Sequence, residues 1–172
     1  MPEERTGLVT FKGNPLTLMG AALKVGAVVP PFKLLDNALQ PVSLADTAGK
    51  IRLITVVPSL DTPVCDTMSR NFNQQAAKLP DNVVVYTVSV DLPFAQARWC
   101  GNAGIDKIKT LSDYQDRSFG LDYGLLIKEL KLLARAVMVV DRDDTLRYFQ
   151  LVGEVAEEPD YQAALDAVKQ LL

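Results

Sequence analysis

The sequence predicts an α/β domain built on one sheet, and three observations carry that prediction. Short runs of β-branched and apolar residues alternate with stretches whose apolar positions recur every three or four residues. The last quarter reads strand, turn, strand, helix. A chain of 172 residues with 48% hydrophobic content can also bury one proper core, which favours a single domain over 1–172.

The elements follow in order. "LVTFKGNPLTLM" holds two strand-like runs around Gly13, Asn14 and Pro15, the pattern of a hairpin, read here as an amino-terminal extension over residues 1–20. "VVPPFKLLD" and "QPVSLAD" are short and punctuated by proline. They lead into "KIRLITVVP", where Ile51 to Val57 is mostly apolar and β-branched, as suits a strand buried on both faces, and Pro58 ends it. After "PSLDTPVC" the apolar residues Cys65, Met68, Phe72, Ala76 and Leu79 define one helix face, closed by a turn at Pro80, Asp81 and Asn82. "VVVYTVSVD" is a second buried strand, "LPFAQARWCG" starts a helix with Pro93 near its first turn, and "DKIKTLSD" contains a short strand. "ARAVMVVD" and "LRYFQLVG" are strands joined by "DRDD", and "EPDYQAALDAVKQLL" is a closing amphipathic helix with Pro159 placed for its first turn. The "DRDDT" segment lacks the glycine and distal glutamate of a calcium loop and reads as a solvated turn.

Composition narrows function. No segment approaches the roughly 20 uncharged residues that span a bilayer, and the start "MPEERTGLVTF" is acidic where a signal peptide is basic, so the expected location is the cytosol, without membrane contact. A net charge of -3 offers no basic stripe for nucleic acid. The absence of histidine removes histidine-based hydrolases, the common zinc enzymes and histidine-ligated haem. Two cysteines, Cys65 and Cys100, are too few for a disulfide scaffold; in a reducing compartment they point to packing or to redox chemistry.

Cys65 has a local reason to be reactive. Thr62 suits an N-cap and Pro63 suits N1, which makes Cys65 N3, where free amides and the helix dipole welcome an anion. The helix start takes the place of a base. Yet an ordinary thiol is already about a few per cent thiolate at neutral pH, so full ionisation gains only tens-fold, and nucleophilicity falls as the thiolate is stabilised. Oriented donors and a fixed positive charge acting on the electrophile must supply the rest. Arg135 fits, because it is the single arginine in the apolar "LLARAVMVV" and a guanidinium near a core needs an anion. Arg70 and Arg98 are rivals, and an Arg135 exposed at a strand end is equally compatible with the residues alone. Cys65 as a buried hydrophobe, on one face with Met68 and Phe72, and Cys100 as core filler beside Trp99 also stay open.

Pro58, Thr62 and Cys65, with "DLPFAQARWCG", "LARAVMVVD" and "EPDYQAAL", resemble the thiol peroxidase branch of the atypical two-cysteine peroxiredoxins over nearly the whole chain. The resemblance implies a thioredoxin-like fold, a central mixed sheet flanked by helices. It implies that Cys65 is the peroxidatic cysteine, oxidised by hydroperoxide to a sulfenic acid, and that Cys100 is the resolving cysteine closing an intramolecular disulfide. It implies that Thr62 and Arg135 orient and polarise the peroxide while Pro58 shields the pocket. Thioredoxin as reductant, a homodimer, and no cofactor or metal complete what it implies. A disulfide needs Cα atoms within about 7 Å, and the two cysteines fall on different predicted helices, so the reduced form should hold them apart until a helix end loosens. "YGLLIKELKLLA", with Phe94 and Trp99, reads as core, pocket mouth or dimer face; as a pocket it would favour bulky organic hydroperoxides. A redox sensor with incidental turnover is the alternative function, and a general thiol-disulfide oxidoreductase is disfavoured because Cys65 lacks a Cys-x-x-Cys partner.

Overall fold

The computed structural model describes residues 1–172. Two strands, β1 (Glu4–Phe11) and β2 (Asn14–Met19), pair antiparallel with Phe11 opposite Asn14. The turn is therefore Lys12–Gly13, with φ of 49° and 80°, the two-residue geometry that matches strand twist. Asn14 and Pro15 belong to β2, so the turn falls earlier in the chain than the Gly13–Pro15 placement expected from sequence. Two three-residue strands, β3 (Lys33–Leu35) and β4 (Pro41–Ser43), form a small antiparallel pair, and a single 3-10 turn follows at Leu44–Thr47.

The central part repeats strand and helix: β5 (Ile51–Val56), α1 (Pro63–Ala76), β6 (Val83–Ser89), α2 (Pro93–Ala103) and β7 (Lys109–Ser112). The remainder is α3 (Ser118–Asp122), β8 (Leu126–Ile127), β9 (Ala136–Val140), β10 (Leu146–Leu151) and α4 (Tyr161–Lys169). The seven-stranded sheet runs β10-β9-β5-β6-β7-β3-β4, parallel through β5, β6 and β7 and antiparallel on both flanks. This is the mixed sheet flanked by helices that was expected.

Side-chain alternation divides the core between the two faces of the sheet. Ile54 and Val56 of β5 join Met138 and Val140 of β9 in one buried cluster, while Ile51 and Leu53 join Val137 and Val139 in the other. The second cluster is roofed by Met68 and Phe72 of α1 and by Ala164, Leu165 and Val168 of α4, so Cys65 is pressed onto the sheet. β5 is fully buried despite Arg52, whose guanidinium donates to Thr47 Oγ1 at 2.9 Å and to the Asp141 and Leu44 carbonyls, and pairs with Asp144 at 2.6 Å. Each nitrogen of that buried cation donates at least one hydrogen bond.

Two expectations shift at element ends. α1 stops at Ala76, short of Leu79. α2 starts at Pro93 as expected and runs to Ala103, where Gly104 at φ 67° caps it. Asp160, not Pro159, starts α4: its carboxylate accepts from Ala163 N at 3.0 Å, which leaves the proline just outside. The hairpin is no appendage. Val9, Leu16 and Leu18 are buried in the first cluster with Ile127 and Leu133, and β2 pairs with β8 in a three-stranded sheet. Gly20 and Gly124 permit this approach, since a Cβ on either would sit 2.0 Å from Leu121 O or 2.3 Å from Ala21 O.

Candidate active site

The loop that leaves β5 is held before the helix begins. Pro58 is buried, and Asp91, just after β6, accepts from Ser59 Oγ at 2.7 Å and from Leu60 N at 2.8 Å. Thr62 then caps α1 from an extended backbone, with Pro63 in the first turn, as the sequence predicts. Its Oγ1 accepts from Cys65 N at 3.4 Å and donates to Ser59 O at 3.0 Å. The threonine proton is therefore given to a backbone carbonyl.

Arg135 stands immediately before β9 and is 1% exposed, which rules out the solvent-facing alternative. Its Nε and Nη2 donate to Val155 O at 3.0 and 2.8 Å, Nη1 approaches Met68 Sδ at 3.5 Å, and Nη2 lies 3.2 Å from Cys65 Sγ. None of the five ion pairs in the protein involves Arg135. A buried guanidinium without a carboxylate has the Cys65 sulfur as its nearest candidate counter-anion. The rivals are elsewhere: Arg70 pairs with Asp66 on the surface, and Arg98 is exposed.

Beside this group opens a cavity of about 440 Å³ whose walls include Pro58, Thr62, Arg135, Phe11, Leu132 and Val155. Of the ambiguous segment 123–134, Leu130 and Leu132 line the cavity, while Tyr123, Leu125, Leu126, Leu133 and Ala134 are core. Trp99 packs against the cluster under α1, and Phe94 stands 66% exposed on α2, so neither belongs to this mouth.

Cys100 lies in other surroundings, half-buried in the last turn of α2. Its Sγ is 3.5 Å from Thr110 Oγ1 and 3.9 Å from Asn37 Nδ2, and Thr110 donates its own proton to Asn37 Oδ1 at 2.8 Å. That leaves the Cys100 S–H as the donor to Thr110. Both cysteines are free, with no shared hydrogen-bond partner, and Cys100 opens onto a different cavity of about 390 Å³. Sequence reasoning missed Asp91, Asn37, Thr110, Met68 Sδ and the Val155 carbonyl as members of these sites. Asp91 directly before "LPF" was the one visible signal, since a carboxylate between a strand and a helix start commonly holds backbone amides.

A buried thiol at a helix start, faced by a guanidinium on a mixed sheet, defines a thioredoxin-like redox protein. Comparison with known proteins narrows this. Residues 24–165 match the Redoxin family. A thiol peroxidase of Halalkalibacterium halodurans is 56% identical over 95% of this chain and 98% of its own length, and one of Bacillus subtilis is 53% identical over the same shares. A crystal structure of a peroxiredoxin-like protein from Aquifex aeolicus superposes with a TM-score of 0.91 at 41% identity, covering 98% of both chains. A thiol peroxidase from Chromobacterium violaceum, 20% identical over 94% of this chain and 95% of its own, shares the fold with a TM-score of 0.84. The chain belongs to the Redoxin family, in its thiol peroxidase branch.

Proposed function

We propose that this chain reduces hydroperoxides at Cys65, resolves the product with Cys100, and is recycled by thioredoxin. Membership of the thiol peroxidases makes it a thiol-dependent peroxidase, an oxidoreductase. The Cys65 thiolate attacks the terminal oxygen of R–OOH; the O–O bond breaks, a proton goes to the departing oxygen, and Cys65–SOH and R–OH remain. Cys65–SOH and the Cys100 thiol then form a disulfide and release water. Thioredoxin supplies two electrons and two protons to restore both thiols.

The observation that carries this reading is the 3.2 Å contact between Arg135 Nη2 and Cys65 Sγ in a buried site without a carboxylate. The same guanidinium that faces the Cys65 sulfur can polarise peroxide oxygens entering from the apolar cavity. Thr62 holds the helix start, and its hydroxyl can turn its proton from Ser59 O to a bound oxygen. Pro58 closes one wall. Substrates are hydroperoxides, with bulky organic ones favoured by the apolar walls, and the protein works as a cytosolic homodimer. No helix is long and apolar enough to cross a membrane.

Intact-mass measurement after one equivalent of peroxide tests the scheme. The expected product is a monomeric chain lighter by two hydrogens. Cys65→Ser should abolish turnover, whereas Cys100→Ser should still reduce one equivalent per chain. Full turnover by Cys65→Ser, or a disulfide only between chains, would overturn it.

A further inference from the structure

The immediate neighbours of the two cysteines are bonded to each other although the cysteines are not. Asp66 follows Cys65 in the first turn of α1, and Trp99 precedes Cys100 in the last full turn of α2. Trp99 Nε1 donates to Asp66 Oδ1 at 2.7 Å. Asp66 Oδ2 accepts from Arg70 Nε at 2.8 Å, and Arg70 Nη1 donates to Ala103 O at 3.3 Å, a carbonyl at the end of α2 that no helical amide reaches. The indole also packs against the cluster that contains Cys65, Met68 and Phe72.

We infer that Asp66 and Trp99, braced by Arg70, form a latch that sets how fast Cys100 reaches oxidised Cys65. The inference rests on the peroxidase reading above and adds the residues that govern its second step. A disulfide requires Cα atoms within about 7 Å, so the end of α2, the start of α1, or both must unwind. Trp99 is adjacent to the sulfur that has to travel and is tied to the residue adjacent to its target. Opening therefore breaks the Trp99–Asp66 bond and the Arg70–Ala103 bond, and lifts the indole from the cluster. Both bonds are charge-assisted and the Trp99–Asp66 bond is part-buried, the kind whose loss alters an equilibrium measurably, whereas the Arg70–Ala103 bond is exposed and weaker. Burial pushes the Asp66 carboxyl up, but the hydrogen bonds from Arg70 and Trp99 outweigh it and hold the group below the usual carboxylate range.

The latch has a second consequence. While it is shut, Cys65–SOH stays in the pocket, and a second R–OOH can transfer its terminal oxygen to give Cys65–SO₂H and R–OH. A tighter latch thus lengthens the life of the sulfenic acid and raises the yield of sulfinic acid. Asp66 meets Thr62 only through the helical backbone, its amide donating to Thr62 O at 3.0 Å. The Asp66 and Trp99 side chains bond to each other, make no hydrogen bond to Arg135 or Thr62 and do not line the peroxide cavity, so the first oxidation should be insensitive to changes in them.

The test uses rapid mixing of the full reduced chain with hydrogen peroxide, trapping of sulfenic acid with dimedone and of thiols with maleimide, and intact mass against time. Trp99→Phe should keep the rate of Cys65 oxidation within about twofold, form the disulfide about fivefold faster, and give less sulfinic acid at excess peroxide. Arg70→Gln, at an exposed position that does not endanger folding, should speed disulfide formation by about twofold. Asp66→Ala combined with Trp99→Phe should be no faster than the faster single variant, because both remove one shared bond. Unchanged or slower disulfide formation in Trp99→Phe and Arg70→Gln overturns the latch while leaving the peroxidase reading intact. Failure of the unaltered chain to form sulfenic acid or disulfide overturns that reading, and the latch with it.

Discussion

Arg135 holds two jobs on one planar group: it fixes the Val155 carbonyl and it faces the Cys65 sulfur. Arg135→Gln should lower the second-order rate with peroxide by about 10²–10³, the usual effect of losing one preorganised electrostatic donor, measured by competition or stopped flow. Arg135→Lys should not restore it, because a single ammonium cannot satisfy Val155 O and still present a donor to the sulfur. A lysine variant with the original rate would mean that charge alone suffices. Thr62 separates capping from chemistry in the same way. Thr62→Ser should retain activity and stability, whereas Thr62→Val should lose about 1 kcal/mol of stability with a slower reaction, read by denaturant unfolding and peroxide kinetics. Cys65, Thr62 and Pro63 were legible in sequence because a helix cap is decided within four residues. The burial of Arg135 was not, since its partners Val155 and Met68 come from distant elements. Arg52 escaped notice for the same reason, sitting in a run that reads as apolar while its acceptors lie in two other loops.

Among the elements, the strands β5, β6 and β9 were readable because burial on both faces demands continuous apolar runs. α3 and β8, of five and two residues, carry too little periodicity to show, and tertiary bonds create them. The start of α3 is held by Asp113, whose carboxylate accepts from Phe119 N at 3.1 Å and Gly120 N at 2.8 Å. Burial pushes the Asp113 carboxyl up from its ordinary 3.8 to about 6, more than these two amides can offset. The folded chain therefore holds this proton more tightly than the unfolded chain does. Its stabilising contribution is fully present below about pH 4 and is lost as pH rises through about 6. Denaturant unfolding of the unaltered protein and of Asp113→Asn across pH 4.5 to 7.5 should show the unaltered protein gaining stability on acidification relative to the variant. Asp66 and Asp141, held low by their arginine partners against the upward push of burial, act in the opposite sense but equally in both proteins. Parallel curves would show that Asp113 is not titrating in this window.

Across the whole molecule, the amino-terminal hairpin completes a cavity that the thioredoxin-like sheet alone leaves open. Its turn is fastened by Glu154, whose carboxylate accepts from Gly13 N at 2.9 Å and Ala156 N at 2.7 Å, next to the Val155 that Arg135 grips. The hairpin was legible from its turn residues. Its place in the active site was not, because β8, which anchors it, is two residues long and far along the chain. Phe11 from the hairpin and Leu132 from beyond β8 thus face a common space beside Arg135. A hydrogen peroxide molecule needs only the donors, whereas the organic part of a larger hydroperoxide gains by covering these side chains. Phe11→Ala, at a ring already 36% exposed and therefore tolerant of truncation, should lower kcat/KM for cumene hydroperoxide by about tenfold. The value for hydrogen peroxide should stay within about twofold, since Phe11 makes no hydrogen bond to Cys65, Thr62 or Arg135. Equal losses with both substrates would place the effect in the folding of the hairpin, and no loss with either would show that organic hydroperoxides approach Cys65 by another route.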